Sequence, residues 1–169
     1  MKTKPSVKSA NWVVSGLLFL GSSVSLSLAS PSALAAACRD IETVKQSANA
    51  DSNTGMGGHV TAHILGMQPP PGVTQNGRTL FSERAKFEKA WKTYVNVITN
   101  PRSCSGNNNI PQDFNLGYYI DAYSCRAADG NGKCTQWDSF TANKVAVAFF
   151  RKPNGTWILN TAYPIPVTP

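Results

Sequence analysis

Val145–Pro166, VAVAFFRKPNGTWILNTAYPIP, is the stretch whose reading decides the fold. Two apolar arms, Val145–Arg151 and Thr156–Tyr163, flank Lys152-Pro153-Asn154-Gly155. An Asn-Gly pair between such arms is the strongest short-range signal for a β-hairpin. Side chains alternate along a strand, so Trp157, Leu159, Thr161 and Tyr163 are expected on one face of the second arm, with Ile158, Asn160 and Ala162 on the other. The two hydroxyls at Thr161 and Tyr163 can floor a site. They are also ordinary strand residues, since Thr and Tyr favour strands.

Upstream of the hairpin, Phe114–Arg126 (FNLGYYIDAYSCR) reads as a strand and Trp137–Thr141 as a weaker one. Before these comes the main helix, from about Glu83 to Ile98. Ala85, Phe87, Ala90, Trp91, Tyr94, Val95 and Ile98 recur at 3–4 spacing, and Ser82 stands where an N-cap belongs. Asn100-Pro101 ends it. Arg78–Phe81 is a short extended piece, and the Pro-rich run Met67–Gly77 is an exposed loop. Cys38–Ala50 is a short helix or lead-in arm, followed by a loop over Asp51–Gly58. Helices followed by a run of antiparallel strands define an α+β chain.

The chain has 169 residues and a formal net charge of +7. Its first 35 residues read as an export signal: Lys2, Lys4 and Lys8, an apolar stretch over Trp12–Leu28, then Ala33-Leu34-Ala35 before a cleavage point near Ala36. A retained membrane anchor is the bland alternative, and the Gly and Ser interruptions argue against it. A lipoprotein signal ahead of Cys38 is weaker still, because Leu34 stands one place too early. What remains is about 134 residues, enough for one domain with a real core: an arm over 36–56 and a body over 57–169. It carries 13 basic and 9 acidic residues, a modest positive balance that suits a polyanion such as RNA and is also common among secreted proteins.

All four cysteines, Cys38, Cys104, Cys125 and Cys134, follow the signal, and an even number in an exported chain implies two disulfides. Three connectivities are possible. Proximity across the turn-rich loop Arg126–Lys133 favours Cys125–Cys134, which leaves Cys38–Cys104. Zinc is the alternative, but no Cys-x-x-Cys occurs.

His59 and His63 are the only histidines. Their i,i+4 spacing is that of a zinc-protease helix, yet Val60 stands where that motif needs Glu. No Gly-x-Ser-x-Gly supports a serine hydrolase, and the sparse carboxylates offer no glycosidase pair. Metal-free phosphoryl transfer on RNA asks for less. It needs a base near neutral pH, a cation for the phosphorane oxygens, a proton donor and hydroxyls to hold the phosphate. His63, Arg78, Thr161 and Tyr163 supply that set, with His59 a second acid–base candidate. Each also has a structural reading, as a packed histidine, a surface charge or a strand residue. Trp157 can stack a base, but Trp on a strand more often fills a core.

The order Gly57-Gly58-His59…His63, then Arg78-Thr79-Leu80-Phe81-Ser82 opening a helix, then Thr161-Ala162-Tyr163-Pro164 closing the last strand resembles the bacterial ribonuclease-A-like toxin domains. These stand at the C-termini of contact-dependent inhibition and other polymorphic toxin proteins. The resemblance spans Gly57–Pro166. It implies a kinked antiparallel sheet with helices on its N-terminal side, cleavage of RNA through a 2′,3′-cyclic phosphate, and no metal or other cofactor. It implies His63 as the catalytic histidine, Arg78 as the functional arginine, and Thr161 and Tyr163 as the final-strand pair. The histidine spacing is one residue short, the segment after His63 is Pro-rich where a short helix is usual, and Arg78 comes late. Expected partners are RNA as substrate and, for a toxin, a neutralising immunity protein, with the chain itself a monomer. The other reading is a secreted binding module without catalysis on the same scaffold.

Overall fold

The computed structural model describes residues 36–105 and 109–167. The expected export signal lies outside them. The described chain is α+β: a four-stranded antiparallel sheet in the order β1-β2-β3-β4, with helices packed on its core face. The strands are β1 (Thr79–Phe81), β2 (Gln112–Ala128), β3 (Cys134–Arg151) and β4 (Trp157–Pro166). The helices are α1 (Glu42–Ser47), α2 (Ala50–Asn53) and α3 (Arg84–Val97), with short 3₁₀ turns at Cys38–Asp40 and Val60–His63.

β2 and β3 lose step between Asn115 and Ile120, at the left-handed Gly117. One half of the sheet pairs the start of β2 with the end of β3 and with β4. The other pairs the end of β2 with the start of β3 and with β1. Trp137–Thr141 and Val145–Phe150 are thus parts of one long strand, not two. The exposed polar residues Thr135, Gln136, Asp138 and Ser139 hide this in the sequence, because only one end of β3 buries apolar side chains.

α3 starts one residue late. Glu83, not Ser82, is its N-cap, in extended conformation and without a side-chain cap bond. Its first turn is secured instead by Arg84, which pairs with Asp51 of α2 at 2.8 Å and with Glu88 at 2.7 Å. Only Phe87, Ala90 and Tyr94 are buried, with Trp91 and Ile98 at the margin. Ala85 is exposed, so the apolar stripe is narrower than its spacing implied. Tyr94 and Phe87 meet Phe114, Phe149 and Phe81 across the core. Two changes fall upstream. Cys38–Ala50 is broken at Ile41 and again at Asn49, and the expected loop after it begins with α2 because Asn49 accepts a cap bond from the Asp51 N–H at 2.9 Å.

The hairpin forms as expected around Lys152–Gly155, with Arg151 opposite Trp157. Its turn is the three-residue kind. Gly155 N–H donates to the Lys152 carbonyl and Lys152 N–H to the Thr156 carbonyl, both at 2.8 Å, and Gly155 alone takes positive φ, at 85°. Pro153 favours this outcome, since its fixed φ suits the first corner of a type I turn followed by a left-handed glycine.

Both disulfides are present, Cys38–Cys104 and Cys125–Cys134, and no cysteine among the described residues is left for zinc. Such bridges fit an oxidising, extracellular or periplasmic compartment. No helix among the described residues is long and apolar enough to cross a membrane.

Candidate functional site

Gly57 and Gly58 lead into the first histidine, and each has a physical reason. Gly57 takes φ of 93°, and a Cβ on Gly58 would collide with the side chain of Asn53. Fully buried Asn53 donates to the Ser47 and Leu159 carbonyls (2.7 and 2.8 Å) and accepts from the Val60 N–H at 2.8 Å. His59 then donates its backbone N–H to Asn160 on β4. Val60 and Ile64 are buried in the core, and Leu65 N–H reaches the Phe81 carbonyl on β1 at 3.0 Å. The segment 59–65 therefore joins β4 to β1, with His63 between them.

Two bulges aim the remaining groups. Gly77 N–H donates to the Cys125 carbonyl and Cys125 N–H to the Arg78 carbonyl, both at 2.9 Å, with Gly77 at φ 72°. Two residues oppose one, the G1 bulge, a device that re-aims a side chain. Arg78 is turned so that Nε donates to the Thr74 carbonyl (2.6 Å) and Nη1 faces His63 Nε2 (3.4 Å). On β4, Ala148 pairs with Thr161 but Phe149 with Leu159, so Asn160 is the extra residue. This corrects the expected alternation. Leu159 and Ala162 both face the core, while Thr161 and Tyr163 turn to the opposite face. Trp157 stays half-buried, packed against the core.

His63, only 6% exposed, stacks on Tyr163 with ring centroids 5.2 Å apart. Its Nδ1 lies 2.8 Å from the Thr79 carbonyl, which can only accept, so Nδ1 carries the proton and Nε2 presents its lone pair. Burial pushes the pKa of His63 down to about 4. The Thr79 bond opposes this, and the charges of Arg78 and His59 add to it. His59 is lowered too, by burial first and by Arg78 second. Burial raises Tyr163, helped by the carboxylate of Asp113. Asp113 sits opposite Ala146, which sits opposite Tyr163, so the three share a face. Thr161 Oγ1 is buried and finds no hydrogen-bond partner among the described residues.

His63, Arg78 and Tyr163 are thus in mutual contact through the imidazole. His59 is near enough to feel the guanidinium, and Thr161 is two residues from Tyr163 on the same face. The arrangement offers a neutral base, a fixed cation, a phenol held in its protonated form and an unused hydroxyl.

Sequence reasoning missed Gln75. It is fully buried, donates to the carbonyls of Thr61 (3.0 Å), Ile64 (2.9 Å) and Met67 (3.3 Å), and accepts from the Cys134 N–H at 2.8 Å. It locks the turn carrying His63 to the Cys125–Cys134 loop. In the sequence it stands inside a polar, Pro-rich run and carries no signal of burial. A cleft of about 890 Å³ is lined by Thr61, Thr74, Pro69, Gly72, Asp51 and Asp129 among others. It includes none of the five candidate residues, and its two carboxylates are the wrong charge for a phosphate.

No family model, curated protein or solved structure matches this chain.

Proposed function

We propose that this protein is an exported, metal-independent ribonuclease with a ribonuclease-A-like fold, cleaving RNA by transesterification to a 2′,3′-cyclic phosphate. The observation that carries the reading is the meeting of His63, Arg78 and Tyr163, from three separate parts of the chain, around one imidazole. The four-stranded antiparallel sheet, with its break in register between Asn115 and Ile120, supports the fold assignment.

In the proposed step a phosphodiester draws Arg78 Nη1 from His63 to a non-bridging oxygen. Its negative charge offsets the cation that depresses His63 and raises the basicity of Nε2. The 2′-OH gives its proton to Nε2 as its oxygen bonds to phosphorus. The bond from phosphorus to the 5′-oxygen breaks, and that oxygen takes a proton from Tyr163 or from a protonated His59. Arg78 stabilises the charge on the phosphorane, and the Thr161 hydroxyl donates to a phosphate oxygen.

The test is oxidised, purified protein with RNA in excess chelator. Wild type yields fragments ending in 2′,3′-cyclic phosphate, read by mass spectrometry. His63→Asn, which keeps a donor for the Thr79 carbonyl, loses about 100-fold or more in rate. Equal RNA survival with wild type and with the folded variant overturns the proposal.

The second reading is a secreted binding module. It is favoured by the 6% exposure of His63 and by the guanidinium lying against its Nε2, the atom a base must keep free. In that case RNA is retained on the protein at full length.

A further inference from the structure

We propose that Trp137 and Tyr123 form a base-stacking subsite for single-stranded RNA, placed beside the phosphate position at Arg78; this rests on the ribonuclease reading. The register carries it. Arg78 opposes Cys125 on one side through the Gly77 bulge, and Trp137 opposes Cys125 on the other. Directly opposed residues of antiparallel strands point to one face, so Arg78 and Trp137 lie on the same face, two strand spacings apart, roughly 10 Å. That face is turned away from the main core. Ala122, one residue before Tyr123, faces the core, whereas Tyr123 packs against Leu80 and the Cys125–Cys134 bridge.

Trp137 is 45% exposed, so much of its indole is left in water. Tyr123 meets it at 6.0 Å between centroids and an interplanar angle of 68°, an edge-to-face contact that fixes the indole plane. Tyr123 is itself packed against Leu80 and the disulfide, so the platform is in place before any ligand arrives. The adjacent carboxylate, Asp138, is neutralised by its ion pair with Arg126. An indole face beside a cation is what a nucleotide requires: the phosphate sits on the guanidinium and the base stacks on the ring. Stacking accepts any base, so the subsite adds affinity without sequence readout.

The experiment titrates oxidised protein with a 2′-O-methyl oligoribonucleotide, which binds but cannot be cleaved, at fixed salt. Trp137→Ala is expected to weaken binding roughly ten-fold, while Trp137→Tyr retains most of it. A matching oligonucleotide with abasic sites binds wild type weakly and is insensitive to Trp137→Ala. Equal affinity of wild type and Trp137→Ala for the intact oligonucleotide overturns the subsite, as does an equal Trp137 effect on the abasic one. The two readings fail separately. Trp137-dependent binding with no RNA cleavage sinks the catalytic proposal alone. Cleavage with an unchanged Kd in Trp137→Ala sinks the subsite alone.

Discussion

Acidification is expected to destabilise this protein through one residue. His63 is held at about 4 in the folded chain, first by burial and then by the charges of Arg78 and His59, against 6.5 for a free imidazole. Between these values the unfolded chain binds a proton that the folded chain refuses. The unfolding free energy therefore rises with pH across the window. The contribution of His63 is complete above pH 6.5 and is lost as pH falls to about 4, a change of about 3 kcal/mol. His59 adds to it in the same direction. The assay is urea unfolding with both disulfides intact, followed by fluorescence from pH 4 to 8, in wild type and in His63→Asn. Carboxylates and His59 titrate in both proteins, so wild type loses stability more steeply than His63→Asn below pH 6.5. Identical pH profiles, or a wild type that gains stability on going from pH 7 to 5, refute a buried neutral imidazole. So does a His63 ring titrating near 6.5 by NMR.

Thr161→Val removes a buried hydroxyl that has no partner among the described residues, so stability is unchanged or rises by up to about 1 kcal/mol while RNA cleavage falls; calorimetry and the chelator assay measure the two. Gly58→Ala drives Asn53 from its three buried bonds and costs about 2–3 kcal/mol, read by urea unfolding. Arg78→Ala lowers the cleavage rate by roughly 100-fold or more and shifts the His63 titration upward, followed by NMR, because a nearby cation has gone. Paired Cys→Ser replacement costs more at Cys38–Cys104, with a sequence separation of 66, than at Cys125–Cys134, with 9; loop-closure entropy gives roughly 4 against 3 kcal/mol, compared by thermal melting.

The hairpin, the main helix and the Cys125–Cys134 bridge were legible because each has a local signature: Asn-Gly between apolar arms, 3–4 spacing, a Cys pair flanking a turn; Cys38–Cys104 followed by elimination, and the α+β class from the order of elements. The single long β3 was not, because its exposed half shows no apolar alternation. The orientation of Thr161 and Tyr163 was read backwards. Strict alternation put them with Leu159, and one extra residue, Asn160, reverses the face. That bulge depends on tertiary partners, since Asn160 donates to Asn109 at 2.6 Å and Asn109 N–H takes the Phe149 carbonyl at 2.7 Å. Nothing within ten residues announces it. Arg78 was nameable as a lone cation, but its aim depends on the Gly77 bulge and on Cys125, far along the chain. Gln75 was invisible for the reason already given: a polar residue inside a polar run.

The segment 59–65 also covers parts of two outer strands of the sheet. β1 and β4 are the outermost strands, and an outermost strand with free backbone groups is a template for another molecule. Here the Phe81 carbonyl is taken by Leu65 and the Asn160 carbonyl by His59, while Ser47 and Asn53 take both backbone groups of Leu159. Through those two bonds the same seven residues that present the imidazole shield part of β1 and part of β4 from pairing with another molecule. Single substitutions at His59 or His63 leave that shield in place. A cut between Gly57 and His59 that freed the segment would expose backbone groups on both strands at once, and more self-association than in the intact chain would then be expected.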